Sequence, residues 1–585
     1  MFLICKFRQV LLTVFKTGII MRKISKILII VIGFISNQLY AQTIPVGTAV
    51  TEDYYRRLQL LGKLDSSISF SNRPLSAEAL RHEDIFNPET GDSWLKSSGP
   101  VRFANGKGFF QILPFSWQQQ INTHHPYGWN DGAMIPAKGY QTLISGGFYA
   151  KFGPLSIQLK PEFVYAQNSA FQSFGNDRSD SELSIYYSGN YNLLDAPERF
   201  GSSAYKKLSW GQSSVRLTVG PASLGLSNEN LWWGPGVKNS LMMGNNAAGF
   251  KHVTLNTVKP VKTYIGSFEA QIIGGRLEAS GYSPLEKTNL SNGVAAYLPT
   301  RNDWRYLAGV NLNYQPKWVP GLFLGFTRTF MSYGPDLQGL DDYIPFFIPF
   351  QKNKIGNGAG DDASARDQRT SLYARWLFTK AHAEIYFEYG LNDNSYNFRD
   401  FIGSPEHSRA YLFGLRKMVP LRNKTDEFIL FGAELTQMSQ TIDGLLLRDA
   451  GSFYYHGEVR QGYTNNGEVL GAGSGTGGNL QSFEVSWVKG LKKVGFTFDR
   501  LEHNRDFYDY AGFGNAKGGS RSWVDFAMAA EGNWNYKNLL FNAKLQGIKS
   551  LNYQWRQKDF TDTQYYIPNN TVFNFHGELG VAFRF

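Results

Sequence analysis

Residues 372–389 read LYARWLFTKAHAEIYFEY. Leu372, Ala374, Trp376 and Phe378 fall on one face, Thr379 and Lys380 interrupt, and Ala381, Ala383, Ile385, Phe387 and Tyr389 return on the same side. The opposite face carries Ser371, Tyr373, Arg375, His382, Glu384, Tyr386 and Glu388. A period of two on both sides of a short turn is the pattern of a β-hairpin, because successive side chains on a strand point to opposite faces.

The same pattern recurs along the chain. Ile144, Phe148, Ala150 and Phe152 lead through Gly153 and Pro154 to Leu155, Ile157, Leu159, Phe163 and Tyr165. Short turns also stand at Val319–Gly321 and at Tyr536–Asn538, where Leu539, Phe541, Ala543 and Leu545 begin a return strand. The chain ends on Phe573, Phe575, Gly577, Leu579, Val581, Phe583 and Phe585, alternating with Asn574, His576, Glu578 and Arg584. Alternation alone fits a soluble sandwich as well as a membrane barrel. Three features favour the barrel: strands of about 9 to 12 residues, the length of a tilted membrane-spanning strand; very short turns alternating with long polar loops such as Met331–Thr370 and Gly462–Asn479; and a terminal strand closed by Phe. A sheet in lipid must close, since an open edge leaves backbone groups unpaired.

The fold expected is therefore all-β and transmembrane, a large antiparallel outer-membrane β-barrel. Residues 99–585 number 487, and about 25–30 residues per strand with its loop allows roughly 16 to 20 strands. Composition agrees. Of 585 residues 15% are aromatic and 18% charged, with 61 glycines, which excludes both a helical membrane protein and a disordered chain. Residues 1–41 read as a secretion signal. Arg22, Lys23 and Lys26 precede the apolar centre Ile27–Ile35, Ala41 stands before the cut, and Met21 is an alternative start. The single cysteine, Cys5, falls within that leader, so disulfides and thiolate metal sites are not expected. Residues 42–98 read as a small N-terminal helical segment in the periplasm. Within it Thr51–Leu64 is an amphipathic helix with Tyr54, Leu58 and Leu61 on one face and Arg56, Arg57 and Lys63 toward water, and Pro74–Ser76 can start another. After removal of the leader, 53 basic and 48 acidic residues leave a charge of +5 without a basic cluster, so nucleic acid is not an expected partner.

Signals for catalysis are poor. Gly473, Gly475 and Gly478 satisfy G-x-G-x-x-G without the strand and helix a dinucleotide site needs. Glu384 and Glu388 are four strand residues, about 13 Å, apart, beyond the roughly 5–9.5 Å of a glycosidase pair. His407 beside Ser408 lacks a nucleophile motif. Adjacent His124 and His125 face opposite ways on a strand, and Asp341–Asp342 and Asp361–Asp362 lack calcium-loop spacing, so neither metal nor cofactor is expected. The distinctive stretch is Glu229–Gly236, ENLWWGPG. Paired tryptophans before a Gly-Pro-Gly turn suit two roles equally, stacking on sugar rings and standing in an interfacial aromatic girdle.

Asn230–Gly236, NLWWGPG, resembles the hallmark of the capsule assembly Wzi family. Other blocks are similar in order and spacing: Lys151–Asn168 with Gly153, Pro154, Pro161 and Glu162; EIYFEYGLND from Glu384 and HSRAYLFGL from His407; and Tyr455, His456, Gly462, Tyr463, Thr464, Gly467, Leu470 and Gly471. RRLQLLGKLD from Arg56 and SNRPLS from Ser71 also fit. The resemblance implies a barrel of about 18 strands with an N-terminal helical bundle near its periplasmic mouth. It also implies a lectin-like role, in which capsular or exopolysaccharide is bound and attached to the cell surface without a reaction. Contact would come from aromatic stacking, hydrogen bonds and basic groups; the expected binding residues are Trp232, Trp233, Tyr454, Tyr455, His456 and Tyr463. Outer-membrane lipid and other capsule-export components are the further partners. A porin-like diffusion channel is the rival reading, and an outer-membrane glycan hydrolase a more distant one.

Overall fold

The computed structural model describes residues 42–89, 100–175, 177–347, 366–392, 402–403, 405–406, 408–422, 424–440, 452–513, 521–556 and 570–585. The expected leader 1–41, with Cys5 and Met21, lies outside the described residues, as do His407 and the Asp361–Asp362 pair.

Eighteen strands form one closed antiparallel barrel. In chain order they are β1 (Gly108–Asn122), β2 (Gly139–Phe152), β3 (Leu155–Leu159 resuming as Glu162–Ala166), β4 (Tyr205–Ser209 resuming as Ser214–Val219), β5 (Ala222–Ser227) and β6 (Lys251–Thr257 resuming as Val261–Lys262). Next come β7 (Gly266–Leu277), β8 (Arg305–Pro316), β9 (Leu322–Tyr333), β10 (Asp367–Phe378), β11 (Ala383–Asn392) and β12 (Arg409–Pro420). The last six are β13 (Phe428–Gln437), β14 (Asn479–Lys489), β15 (Lys492–Glu502), β16 (Val524–Tyr536), β17 (Leu539–Leu551) and β18 (Val572–Phe583). Each pairs with its successor, and β18 closes on β1 from His576↔Asn122 to Phe583↔Phe115. The break in β3 falls at Lys160–Pro161, where proline has no N–H to give the ladder; the Gln212 N–H reaches the Lys160 carbonyl at 3.0 Å and bridges the gap.

The hairpin at 372–389 shows why the sheet must sit in lipid. Leu372 is 58% and Trp376 40% exposed, while Tyr373 is 4% and Arg375 0% exposed. Apolar residues face outward and polar ones inward, the reverse of a soluble protein. The outward set continues round the wall through Trp117, Ile157, Leu217, Leu255, Ile272, Phe387, Phe413, Phe431, Val485, Phe496, Met528, Leu545 and Phe573. An apolar surface of that extent is tolerable only in a membrane. The protein is an integral outer-membrane barrel.

The two ends differ. At one, two-residue turns such as Gly153–Pro154 and Gly490–Leu491 join neighbours, and Gly153 and Gly490 take the positive φ (57° and 56°) that such tight turns require. At the other, nine long connections join the strands, among them 228–250 and 438–478. The second begins well before the Gly462–Asn479 loop expected from sequence.

The N-terminal segment occupies the short-turn end from within. Helix α1 (Ala49–Leu60) packs Leu60 against Phe323, Leu377, Met418, Phe428, Leu430 and Val488 of the wall. Ser76 accepts a 3.0 Å bond from the Ala79 N–H and caps the one-turn helix Ala77–Leu80. One expectation is corrected: Arg56 and Arg57, placed toward water by the helical pattern, are 4% and 3% exposed, and only Lys63 of the three is open. The Arg56 Nε donates to Glu384 at 2.8 Å, and the Arg57 Nη1 to the Gly490 carbonyl at 2.7 Å. Helical periodicity reports which face is apolar, and a helix inserted in a polar lumen buries both faces.

Candidate functional site

The ENLWWGPG stretch folds inward and forms the centre of a plug. Glu229 is fully buried and accepts from Thr43 Oγ1 (2.6 Å), Arg216 Nη2 (2.6 Å), Ser227 Oγ (3.0 Å) and Gln158 Nε2 (3.2 Å). Burial works against its ionisation, but Arg216 and these donors outweigh it and hold the carboxyl below its usual range. Asn230 donates to Asn245 Oδ1 and to the Ala247 carbonyl, both at 2.8 Å. Trp232 and Trp233 pair as a short strand with Asn72–Arg73 of the N-terminal segment. The Arg73 guanidinium lies 4.3 Å over the Trp232 ring, and the Trp233 Nε1 donates to Gln271 Oε1 at 2.8 Å.

The Gly-Pro-Gly that follows is set by close approach. Gly234 has φ +133°, and a Cβ there would stand 2.7 Å from Glu388 Oε2; one on Gly236 would stand 1.9 Å from the Asn239 carbonyl oxygen. Arg56 Nη2 donates to the Pro235 carbonyl at 2.8 Å. The next three backbone N–H groups, of Val237, Lys238 and Asn239, converge on the Glu434 carboxylate at 2.7, 3.1 and 2.8 Å. Tyr386 OH adds a fourth bond at 2.8 Å.

The 438–478 loop supplies the second layer. Tyr454 OH donates to the Leu241 carbonyl at 2.9 Å and accepts from the Ala472 N–H at 2.6 Å, so one hydroxyl ties the two inward loops together. Its ring stacks on Tyr463 with centroids 6.0 Å apart and planes 9° apart. Arg369 lies 4.6 Å over Tyr463 and donates from Nε to the Phe453 carbonyl at 2.8 Å. Tyr455 OH bonds Asn190, which ends helix α2 (Asp180–Gly189), and accepts from Asn504 Nδ2 at 3.2 Å; Asn504 caps helix α3 (Arg505–Tyr510).

Trp233, Tyr454, Tyr455 and Tyr463 thus meet in one apolar cluster with Leu241, Met242 and Phe453, while Trp232 lies apart beneath Arg73. Trp232, Trp233, Tyr454, Tyr455 and Tyr463 are 0–7% exposed. All five rings are packed inside the barrel, away from its outer wall. A girdle exists elsewhere, on the outer wall and turns, at Trp117, Trp318, Trp376, Trp534 and Tyr264. His456 is the half-buried member of the six; its Nδ1 accepts from the Glu458 and Val459 N–H groups at 3.3 and 3.0 Å.

Below the plug, charges pin α1 to the wall. Glu384 accepts from Arg56 Nε at 2.8 Å and Arg375 Nε at 2.6 Å, with Arg416 3.9 Å away; Arg416 also pairs with Asp53, which takes the Arg57 Nε at 2.7 Å. Burial opposes the Asp53 charge, yet Arg416 and then Arg57 hold its carboxyl far below the ordinary carboxylate range. Both Glu384 oxygens are occupied by guanidinium groups, an unsuitable state for a general acid or base. Sequence reasoning missed Glu434 and the Asp53–Arg416 pair; the available signal was the row of charged residues at inward positions on long strands.

At the long-loop end the open surface differs in character. Tyr510 is 62% exposed beside Ser188 and Gly189, and Tyr343 is 43% exposed. Arg460 donates to the Pro299 carbonyl at 2.7 Å near the surface, four residues from His456. Among the described residues no group of three His, Cys, Asp or Glu side chains is arranged to hold a metal.

A closed eighteen-strand wall with an apolar exterior, holding the N-terminal segment and two inward loops within it, defines an outer-membrane barrel protein. The chain belongs to the capsule assembly protein Wzi family, whose model matches residues 137–549. No curated protein sequence matches it at a significant level. The structure of Escherichia coli Wzi is similar to it with a TM-score of 0.58 at 12% identity, covering 93% of this chain and 100% of that one. That protein is described as an outer membrane protein involved in group 1 capsule assembly and as a carbohydrate-binding β-barrel. Acinetobacter baumannii OccAB2 (TM-score 0.35, 10% identity, 81% and 97% covered) and Pseudomonas aeruginosa OccK7 (0.35, 9%, 81% and 99%) overlap too little to bear on the reading.

Proposed function

We propose that this barrel binds capsular or exopolysaccharide at its long-loop end, which faces outward, and attaches the polymer to the cell surface during capsule assembly without a reaction. The observation that carries the reading is the packing of the inward loops inside the wall. With Trp233, Tyr454 and Tyr463 packed across its interior and α1 pinned beneath them, a polymer has the outer rim as its surface of contact. The same packing weighs against a diffusion channel, and the occupied Glu384 weighs against a hydrolase. The carbohydrate binding described for Escherichia coli Wzi supports the ligand class.

On this reading the buried rings of Trp232, Trp233, Tyr454, Tyr455 and Tyr463 hold the outer loops in place, and contact is made at the rim by His456, the half-buried Arg460 and the exposed Tyr510. Affinity then comes from many weak contacts summed along a repeating polymer. Outer-membrane lipid surrounds the wall, and other export components are partners at the opposite end. The test is retention of capsule from the parent strain by purified protein, with deletion of the gene in parallel. Polymer bound in vitro and released into the medium by the deletion is expected; polymer held on deleted cells as firmly as before would overturn the proposal.

A further inference from the structure

A cavity also lies at the other end. A cleft of about 380 Å³ opens between α1 and the wall, lined by Arg57, Leu58, Leu61 and Lys63 on one side and by Met418, Phe428, Val488, Lys489 and Lys492 on the other, with Glu89 and Asp426 at its rim. Its floor is apolar and its rim is cationic. Both rim carboxylates are engaged: Glu89 accepts from the Leu491 N–H at 3.0 Å and from Asn535 Nδ2 at 3.2 Å, and Asp426 pairs with Lys489 at 3.2 Å. Lys63 is exposed and has no ion-pair partner among the described residues.

Two polar atoms of the lining have no hydrogen-bond partner among the described residues. Arg57, 97% buried, spends Nε on Asp53 and Nη1 on the Gly490 carbonyl, and its Nη2 has no acceptor; Asn535 spends Nδ2 on Glu89, and its Oδ1 has no donor. A buried donor left without an acceptor is destabilising unless a partner is supplied. The combination calls for an acceptor of negative charge, a donor and a modest apolar body. We propose that this cleft binds a carboxylate borne on an apolar group about two amino acids in size, the chemistry of a polypeptide C-terminus ending in a large apolar residue. The carboxylate pairs with Arg57 and Lys63, the last amide N–H serves Asn535, and the apolar side chain lies on Leu58, Leu61 and Phe428. A periplasmic protein would supply such a terminus, and the site is independent of polysaccharide binding at the opposite rim.

The test is calorimetric titration of the full chain in lipid nanodiscs with N-acetyl-Leu-Phe, its C-terminal amide, and octanoate. Binding of the free acid at least tenfold tighter than the amide and than octanoate is expected. Lys63→Glu should weaken the acid at least fivefold, and Lys107→Glu, exposed at the same end outside the cleft, should leave it unchanged. Equal binding of acid and amide, no binding of the acid, octanoate as tight as the peptide, or Lys63→Glu without effect would each overturn the proposal. Because Lys63 is exposed, its variant tests the cleft without disturbing the plug.

Discussion

Replacing Glu384 by Gln keeps the shape of the side chain and removes the charge on which Arg56, Arg375 and Arg416 converge. In the wild type four guanidinium groups, those of Arg56, Arg57, Arg375 and Arg416, share two carboxylates, Glu384 and Asp53. The variant leaves Asp53 alone to serve them, with Arg56 and Arg375 buried and without their ionic acceptor. Breaking a buried pair by removing one partner costs about 3–5 kcal/mol. Because Arg56 joins α1 to the wall, that cost falls on the docked state of the helix. At 1.4 kcal/mol per tenfold, docking weakens by about two to three and a half orders of magnitude. Amide hydrogen exchange over residues 49–61 of detergent-solubilised protein reads this directly as lost protection, while strands β7–β9 should stay protected. Glu278→Gln, which removes half of a surface pair with Arg276 whose side chains are 49% and 44% exposed, should leave α1 unchanged. Protection of α1 within threefold of wild type in Glu384→Gln would refute the assignment of Glu384 as its anchor.

Three further outcomes are expected. Gly236→Ala places a methyl group against the Asn239 carbonyl, so the 228–250 loop cannot seat, and ion conductance in planar bilayers should rise above a nearly silent wild type; equal conductance would count against the plug. Tyr454→Phe orphans the Leu241 carbonyl and the Ala472 N–H at about 1–3 kcal/mol each, and should lower the thermal unfolding midpoint measured by heat-modified gel mobility. The Asp506 carboxyl, which accepts from Ser452 and from the Gln440 N–H at 2.7 Å, is pushed up to about 6 by burial. Since its native value lies above the ordinary 3.8, the junction it makes is most stable at low pH and weakens as pH rises through 6. Exchange at residues 440 and 505–510, corrected for intrinsic rate, should be about tenfold slower at pH 5 than at pH 7.5, a difference that Asp506→Asn abolishes.

The wall was legible because its grammar is local. The alternation from Leu372 to Tyr389 states which side chains face lipid, and Gly153–Pro154 states where the chain reverses, without reference to any distant residue. The plug was not legible, because its partners are remote. That Trp232 and Trp233 lie on Asn72 and Arg73, and that three N–H groups after Gly236 meet Glu434, follows from an inward fold that no periodicity encodes. Five of the six aromatic residues singled out as sugar contacts drew notice for being large and clustered, and a plug core has the same composition. The buried Glu229 beside them was the better clue, since a carboxylate next to a tryptophan pair needs a partner such as Arg216.

The contacts of α1 also fix a sequence of events. Arg56 and Arg57 reach partners 328 and 433 positions further along the chain, and Asn87 reaches Phe585, 498 positions on. These bonds of residues 42–89 therefore form only after the later parts of the chain that carry their partners have been made. The segment that precedes the wall in the described chain is locked in place by parts of the wall that follow it.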